Sequence, residues 1–239
     1  MQENALVYTL RPRTQVPEGL LGWLYSFAPW HQEAQLESTS TGLTVVCISD
    51  THGGHRQLEM PDGDILIHAG DYTLHGDKEH VLDFNEWLGE LTYKHKIVIQ
   101  GNHEENAPWK DETAELLSNA RFLCQETIQV EGLKIFGANF FWPCKGRNPY
   151  FDEQMPDDVD IVVSHCPARG YVDGEKPHGC PALLERLKEV QPRLVIGGHI
   201  HVAYGVADGR SAPWWSRVLP NTVFVNAANA GGDHRGDKN

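Results

Sequence analysis

No apolar run in the 239-residue sequence approaches the roughly 18–20 residues of a membrane span. The first residues also lack the charged-then-apolar layout of a signal peptide. Cysteine is sparse, with Cys47, Cys124, Cys144, Cys166 and Cys180 the only five, and none sits in Cys-x-x-Cys spacing. An odd, unclustered set suggests neither a disulfide framework nor a zinc knuckle, and points to a reducing, cytoplasmic compartment. Basic residues are also few: 20 Lys and Arg face 33 Asp and Glu, giving a formal net charge of −13. Long nucleic acids bind through many Lys and Arg contacts to phosphate, so that class of partner is disfavoured. A small anion stays open, because bound cations invert local charge. The oligomeric state is not legible.

Short apolar, β-branched runs are plentiful. Leu43–Ile48, Asp64–His68, Lys96–Ile99, Asp160–Val163 and Arg193–Ile196 predict strands covered on both faces. A helix is expected from Lys78 to Leu91 with Asp77 as N-cap, and another from Cys180 to Val190, ended by Pro192. Thr127 to Phe140 alternates around Glu131-Gly132 and predicts a hairpin, while Phe141 to Pro156 reads as a long loop. Residues 1–42, broken by prolines, read as an N-terminal extension, with the apolar Leu20–Trp30 docked as an arm and Ser38–Gly42 as a linker. Residues 43–230 form the domain, and 231–239 a disordered tail. Alternating strands and helices predict a layered α/β fold.

Each strand run ends in polar residues: Asp50-Thr51-His52, Gly70-Asp71, Gly101-Asn102-His103-Glu104, Ser164-His165, and Gly198-His199-Ile200-His201. Sites in α/β sheets form beyond the carboxyl ends of strands. One such motif is an ordinary turn; five in order point to a shared site. Carboxylates mixed with imidazoles, and no thiolate, suit Mn, Fe or Zn ions better than Ca or Mg. Two such ions sharing a carboxylate can clamp a phosphate.

The series Asp-x-His, Gly-Asp, Gly-Asn-His-Glu, His and Gly-His-x-His resembles the calcineurin-like metallophosphoesterases. Stretches such as Met60–Asp71, Phe84–Gly89 and Tyr93–His103 resemble the metallophosphoesterase-domain-containing, class III cyclic-nucleotide phosphodiesterase-like group. The resemblance implies two mixed sheets packed as a sandwich and flanked by helices. It implies a first metal on Asp50, His52 and His201, and a second on Asn102, His165 and His199, with Asp71 bridging. It makes His103 a proton donor and, with Asn102, a phosphate contact, the imidazolium being favoured by a carboxylate such as Asp50. The expected reaction is hydrolysis of a small phosphodiester or nucleotide, such as a cyclic nucleotide, by in-line attack of a metal-bound hydroxide. A phosphomonoesterase or protein phosphatase with the same metal core, and an inactive binding scaffold, are the alternatives. The chain departs from the family at Ser164-His165-Cys166-Pro167-Ala168, where Thr-His-x-Pro-Pro is usual.

Other polar residues have plainer readings. His68 is expected in the core, Glu104 as a helix cap, and Cys166 in packing. Arg56, Arg169 and Tyr171 either touch substrate or face solvent. His31, His75, His80 and His178 carry no assignment.

Overall fold

The computed structural model describes residues 6–10, 42–211 and 218–229. The expected arm at Leu20–Trp30, most of the linker and the tail at 231–239 lie outside the described residues. Two mixed sheets stack face to face. The first runs in the order β1 (Leu6–Leu10), β2 (Leu43–Ile48), β3 (Ile65–His68), β4 (His95–Val98) and β5 (Arg121–Phe122). The second runs β10 (Gly205–Asp208), β11 (Val223–Asn226), β9 (Leu194–Gly197), β8 (Ile161–Ser164), β7 (Leu133–Ala138) and β6 (Glu126–Val130).

The continuous apolar runs explain this layering. In β2, Val45 and Cys47 enter the core between the sheets, whereas Val46 and Ile48 enter the core on the opposite face. A strand buried on both faces has no polar side to mark, so its period of two is hidden in the sequence. Helix α1 (Lys78–Glu90) covers the outer face of the first sheet through Val81, Phe84, Trp87 and Leu88. Helix α5 (Pro181–Val190) covers the second through Leu183, Leu187 and Val190.

Both helices start within a residue of expectation. Asp77 occupies the N-cap of α1 in extended backbone, yet its side chain makes no cap hydrogen bond. Cys180 caps α5 instead, its Sγ accepting from Leu183 N at 3.5 Å. The hairpin turn holds Glu131 at φ 50° and Gly132 at φ 79°, the left-handed pair that suits a two-residue turn.

Several elements depart from the sequence reading, and three of them matter most here. Leu6–Leu10, within the expected extension, pairs antiparallel with β2 and becomes the edge of the first sheet. Val223–Asn226, assigned no element, pairs parallel with β9. The expected loop 141–156 contains a single helical turn, α4 (Pro149–Asp152), capped by Asn148 Oδ1 accepting from Tyr150 N at 3.0 Å. All are short, and their pairing or cap is supplied by distant or local partners that periodicity does not reveal.

Candidate metal centre

The parallel strands β2, β3, β4, β8 and β9 deliver their carboxyl ends to one rim, where the two sheets meet. There Ser49, just past β2, bridges to Ala228, just past β11, and Asn229 N donates to Ser49 O at 2.8 Å. The rim therefore gathers side chains from both sheets. Asp50, Asp71 and His165 form a buried floor. His52, Asn102, His103, His199 and His201 form a half-buried border open to a ligand.

The backbone there is unusual. Asp50 (φ 56°), His52 (φ 45°), Asp71 (φ 56°) and His199 (φ 66°) all adopt left-handed conformations that side-chain-bearing residues seldom take. Such strain persists where the surroundings over-determine it, and it collects at functional sites. Here every one of the four N–H groups is held. Asp50 N donates to Gly70 O at 2.9 Å and His52 N to Asp71 O at 3.0 Å. Asp71 N donates to Glu104 Oε2 at 2.8 Å. His199 N donates to both carboxylate oxygens of Asp50, at 3.0 and 2.9 Å. Two glycines allow the close approach: a Cβ at Gly101 would lie 2.1 Å from Asp71 Oδ1, and one at Gly198 2.1 Å from Asp50 Oδ2.

The side chains converge. His201 Nε2 lies 3.1 Å from Asp50 Oδ1, and His165 Nε2 lies 3.2 Å from Asp71 Oδ2. His165 Nε2 is also 3.1 Å from Asn102 Oδ1. His52 Nε2 and His201 Nε2 face each other at 3.4 Å. Three triplets have ligand atoms mutually within 4.8 Å: Asp50-His52-His201, His52-Asp71-His103 and Asp71-His165-His199. They overlap at His52 and Asp71, so the cluster is continuous. The middle triplet includes His103, which the resemblance treats as a non-ligand.

Tautomers are set from outside the cluster. His165 Nδ1 lies 2.7 Å from Ala69 O, and His52 Nδ1 lies 3.3 Å from Thr73 O. Donation to these carbonyls directs each Nε2 lone pair inward, the usual arrangement of a metal-binding imidazole. The donor set of carboxylates, imidazoles and one amide oxygen, half open to solvent, therefore fits divalent transition metals.

Without a cation these groups perturb one another strongly. Burial would lower the His165 pKa, but Asp71 and Asp50 override it and raise it to about 10. Burial would raise the Asp50 carboxyl, yet His165 and His201 hold it well below its ordinary value. The hydrogen bond to Asp50 raises His201. Burial, reinforced by His165, pushes His199 down to about 4. Two buried carboxylates beneath an imidazolium amount to a cation site.

The carboxylate facing His103 differs from the expected one. Its Nε2 lies 3.7 Å from Asp71 Oδ2, while Nδ1 contacts Leu74 O. His103 N also donates to Asp71 Oδ1 at 2.9 Å, so Asp71, rather than Asp50, is its partner.

The plainer readings hold for His68, Cys166, Arg56 and Arg169, whereas Tyr171, expected to touch substrate or face solvent, is instead buried in the core of the second sheet. His68 is buried between Thr51 Oγ1 at 3.0 Å and Gly70 N at 3.3 Å, and burial pushes it down to about 3, hence neutral. Cys166 is buried in the outer core of the second sheet. Arg56 pairs with Asp83, Glu86 and Glu90, and Tyr171 stacks on Phe224 at 3.9 Å. Arg169 is exposed.

Glu104 does more than cap a helix. It is fully buried, and its two oxygens accept from Asp71 N, Gly101 N, Thr73 N and Thr73 Oγ1 at 2.7–2.9 Å. It thus ties the Asp71 loop to the Asn102 helix. Asn226 was also missed: its Nδ2 donates to Ile200 O and Val172 O, both at 3.0 Å, bracing the His199–His201 turn. The available signal was an apolar run, Val223–Val225, ending in a polar residue like the other five.

Comparison with known proteins places this geometry. The calcineurin-like phosphoesterase profile matches residues 43–203. A UPF0046 protein of Caenorhabditis elegans is 34% identical over 78% of this chain and 69% of its own length. Human metallophosphoesterase domain-containing protein 1 is 36% identical over 77% of this chain and 65% of its own. The chain thus spans about two thirds of each relative. Among solved structures, one from Thermus thermophilus aligns with TM-score 0.52 at 13% identity, covering 77% of this chain and 89% of that one, a likeness of fold. The chain belongs to the calcineurin-like phosphoesterase family.

Proposed function

We propose that the chain is a two-metal-dependent hydrolase of small phosphodiesters, with cyclic nucleotides among its substrates. The observation that carries this reading is the continuous cluster of two buried carboxylates and five imidazoles on one rim, bordered by Asn102. In it, Asp50, His52 and His201 would hold one ion, and Asn102, His165 and His199 the other, with Asp71 between them. Two ions of the Mn, Fe or Zn kind would supply charge neutralisation at the phosphoryl oxygens and an acidified water.

The chain's own contribution is orientation and proton transfer. Leu74 O holds His103 Nδ1, leaving Nε2 on the open side of Asp71. Protonated on both nitrogens, His103 would donate from Nε2 to the departing alkoxide. Asn102 and His103, consecutive at the start of helix α2 (Asn102–Glu105), would orient the phosphate. A diester needs this donor, since its leaving group is a poor one. Its single charge is also easier to neutralise than a monoester dianion, and the net charge of −13 disfavours a polymeric nucleic acid.

The test compares kcat/KM for matched aryl and cyclic-nucleotide diesters and their monoesters on metal-reconstituted protein. Higher values are expected for the diesters. A tenfold monoester preference under every metal would replace this reading with a phosphatase, and inactivity despite two bound metals would replace it with a binding scaffold.

A further inference from the structure

The two flanks of the metal cluster differ in chemistry. On the His103 side, a shallow hollow of about 210 Å³ is lined by His75, Asn102, His103 and Asn106. All four are polar. Asn106 Nδ2 is spent on Asn102 O at 2.9 Å, and the His75 ring lies 6.3 Å from that of His103, nearly parallel to it. This wall offers hydrogen-bonding groups rather than an apolar face.

On the His199 side, the chain leaves β7 as Asn139-Phe140-Phe141-Trp142-Pro143. Phe140 is buried, with its ring 5.6 Å from His165 and 5.4 Å from His199. Phe141 packs instead onto Phe151 at 4.7 Å. Trp142 rejoins Phe140, 5.0 Å from that ring and 6.2 Å from His199, and stands steeply against both. Such alternation belongs to extended backbone, which Pro143 favours at the residue before it. Yet Trp142 is 68% exposed, whereas the other tryptophans among the described residues, Trp87 and Trp109, are buried. A large aromatic surface is thus left uncovered beside a ligand-type imidazole, on a segment anchored by Phe140. Rings pair with other rings, edge to face or offset, with a gain beyond simple burial.

We propose that Trp142 is a specificity residue, whose ring takes a planar, aromatic arm of the phosphate ester. The assignment of arms rests on the phosphodiesterase reading. The leaving arm lies in the polar hollow at His103, and the planar arm lies on the His199 flank. A water oxygen bonds to phosphorus and gives its proton to solvent, while the P–O bond to the arm beside His103 breaks. That arm takes its proton from His103 Nε2, and the planar arm stays on the monoester product.

Phenyl p-nitrophenyl phosphate and methyl p-nitrophenyl phosphate share a leaving group and differ in the arm that stays. The preference for phenyl over methyl in kcat/KM should fall about tenfold in Trp142→Ala and largely persist in Trp142→Phe. Comparing variants cancels the intrinsic reactivity of the two esters. Metal content and melting temperature establish that both variants are folded and loaded. Calorimetric binding of phenyl phosphate and methyl phosphate to metal-loaded protein reads the same arm without turnover. Trp142→Ala should weaken phenyl phosphate about tenfold more than methyl phosphate. A phenyl preference that Trp142→Ala retains, or an equal loss for both arms, overturns the proposal and leaves the diesterase reading standing wherever diesters are cleaved. Phenyl binding that depends on Trp142, in a protein that cleaves no diester, upholds Trp142 as the platform and removes the diesterase reading.

Discussion

Glu104→Ala should cost several kcal/mol of stability while leaving the metal-facing side chains in place, even though burial and the neighbouring Asp71 raise the Glu104 pKa to about 7. Glu104 is fully buried and serves three backbone N–H groups, those of Asp71, Thr73 and Gly101. Removing it strands three buried donors at about 1–3 kcal/mol each. Water entering the vacated space would rescue some of them, so the lower end, about 3–4 kcal/mol, is the expected net loss. That is a large part of the roughly 5–15 kcal/mol that holds a domain folded. The damage is also local: Asp71 N is the group whose bond to Glu104 keeps Asp71 at φ 56°, so metal affinity should fall too. Glu104→Gln keeps one acceptor oxygen and should cost about 1–2 kcal/mol. Urea unfolding of metal-free protein gives the first quantity, and metal titration gives the second. A Glu104→Ala loss under 1 kcal/mol, with unchanged metal affinity, would refute this account of Glu104 as the tie between the two loops.

His103→Ala should lower turnover by about 10²–10⁴, with a smaller loss for esters carrying good leaving groups. Because the His52-Asp71-His103 triplet is also tight enough for a ligand, metal analysis of that variant decides between donor and ligand. Gly198→Ala places a methyl 2.1 Å from Asp50 Oδ2, so metal content should drop while the distant helices keep their circular dichroism. The metal-free protein should lose stability in alkali. His165 has a folded pKa raised from 6.5 to about 10, so its contribution is fully present below 6.5 and lost as pH rises through 10. Melting temperatures in chelator should therefore fall between pH 7 and 10, and a flat profile would contradict the His165 pairing with Asp71 and Asp50.

Much of this site is readable because its residues follow strands whose apolar runs are unmistakable. Asp50, Asp71, Asn102, His165 and His199 each sit a few residues past such a run, so order along the chain stands in for proximity in space. What lies off that pattern was hidden. Glu104 reads as a helix cap in sequence, and only folding turns its carboxylate onto Asp71 and Thr73. His103 meets Asp71 rather than Asp50 because its own N–H binds Asp71 Oδ1, a contact that no spacing encodes. The strand Leu6–Leu10 is short and followed by a proline-broken segment, and its place is fixed by β2 at a distance of more than thirty residues. The left-handed backbone at four site residues was equally hidden, since Asp and His are not turn formers of glycine's kind.

Under the proposed function, this cluster works as a two-ion, phosphodiester-cleaving centre. Stepwise addition of Mn²⁺ to metal-stripped protein, following hydrolysis of an aryl phosphodiester, tests it most directly. Activity should rise from near zero and level off close to two equivalents per chain. Full turnover in chelator, or an inert protein with two ions bound, would contradict it.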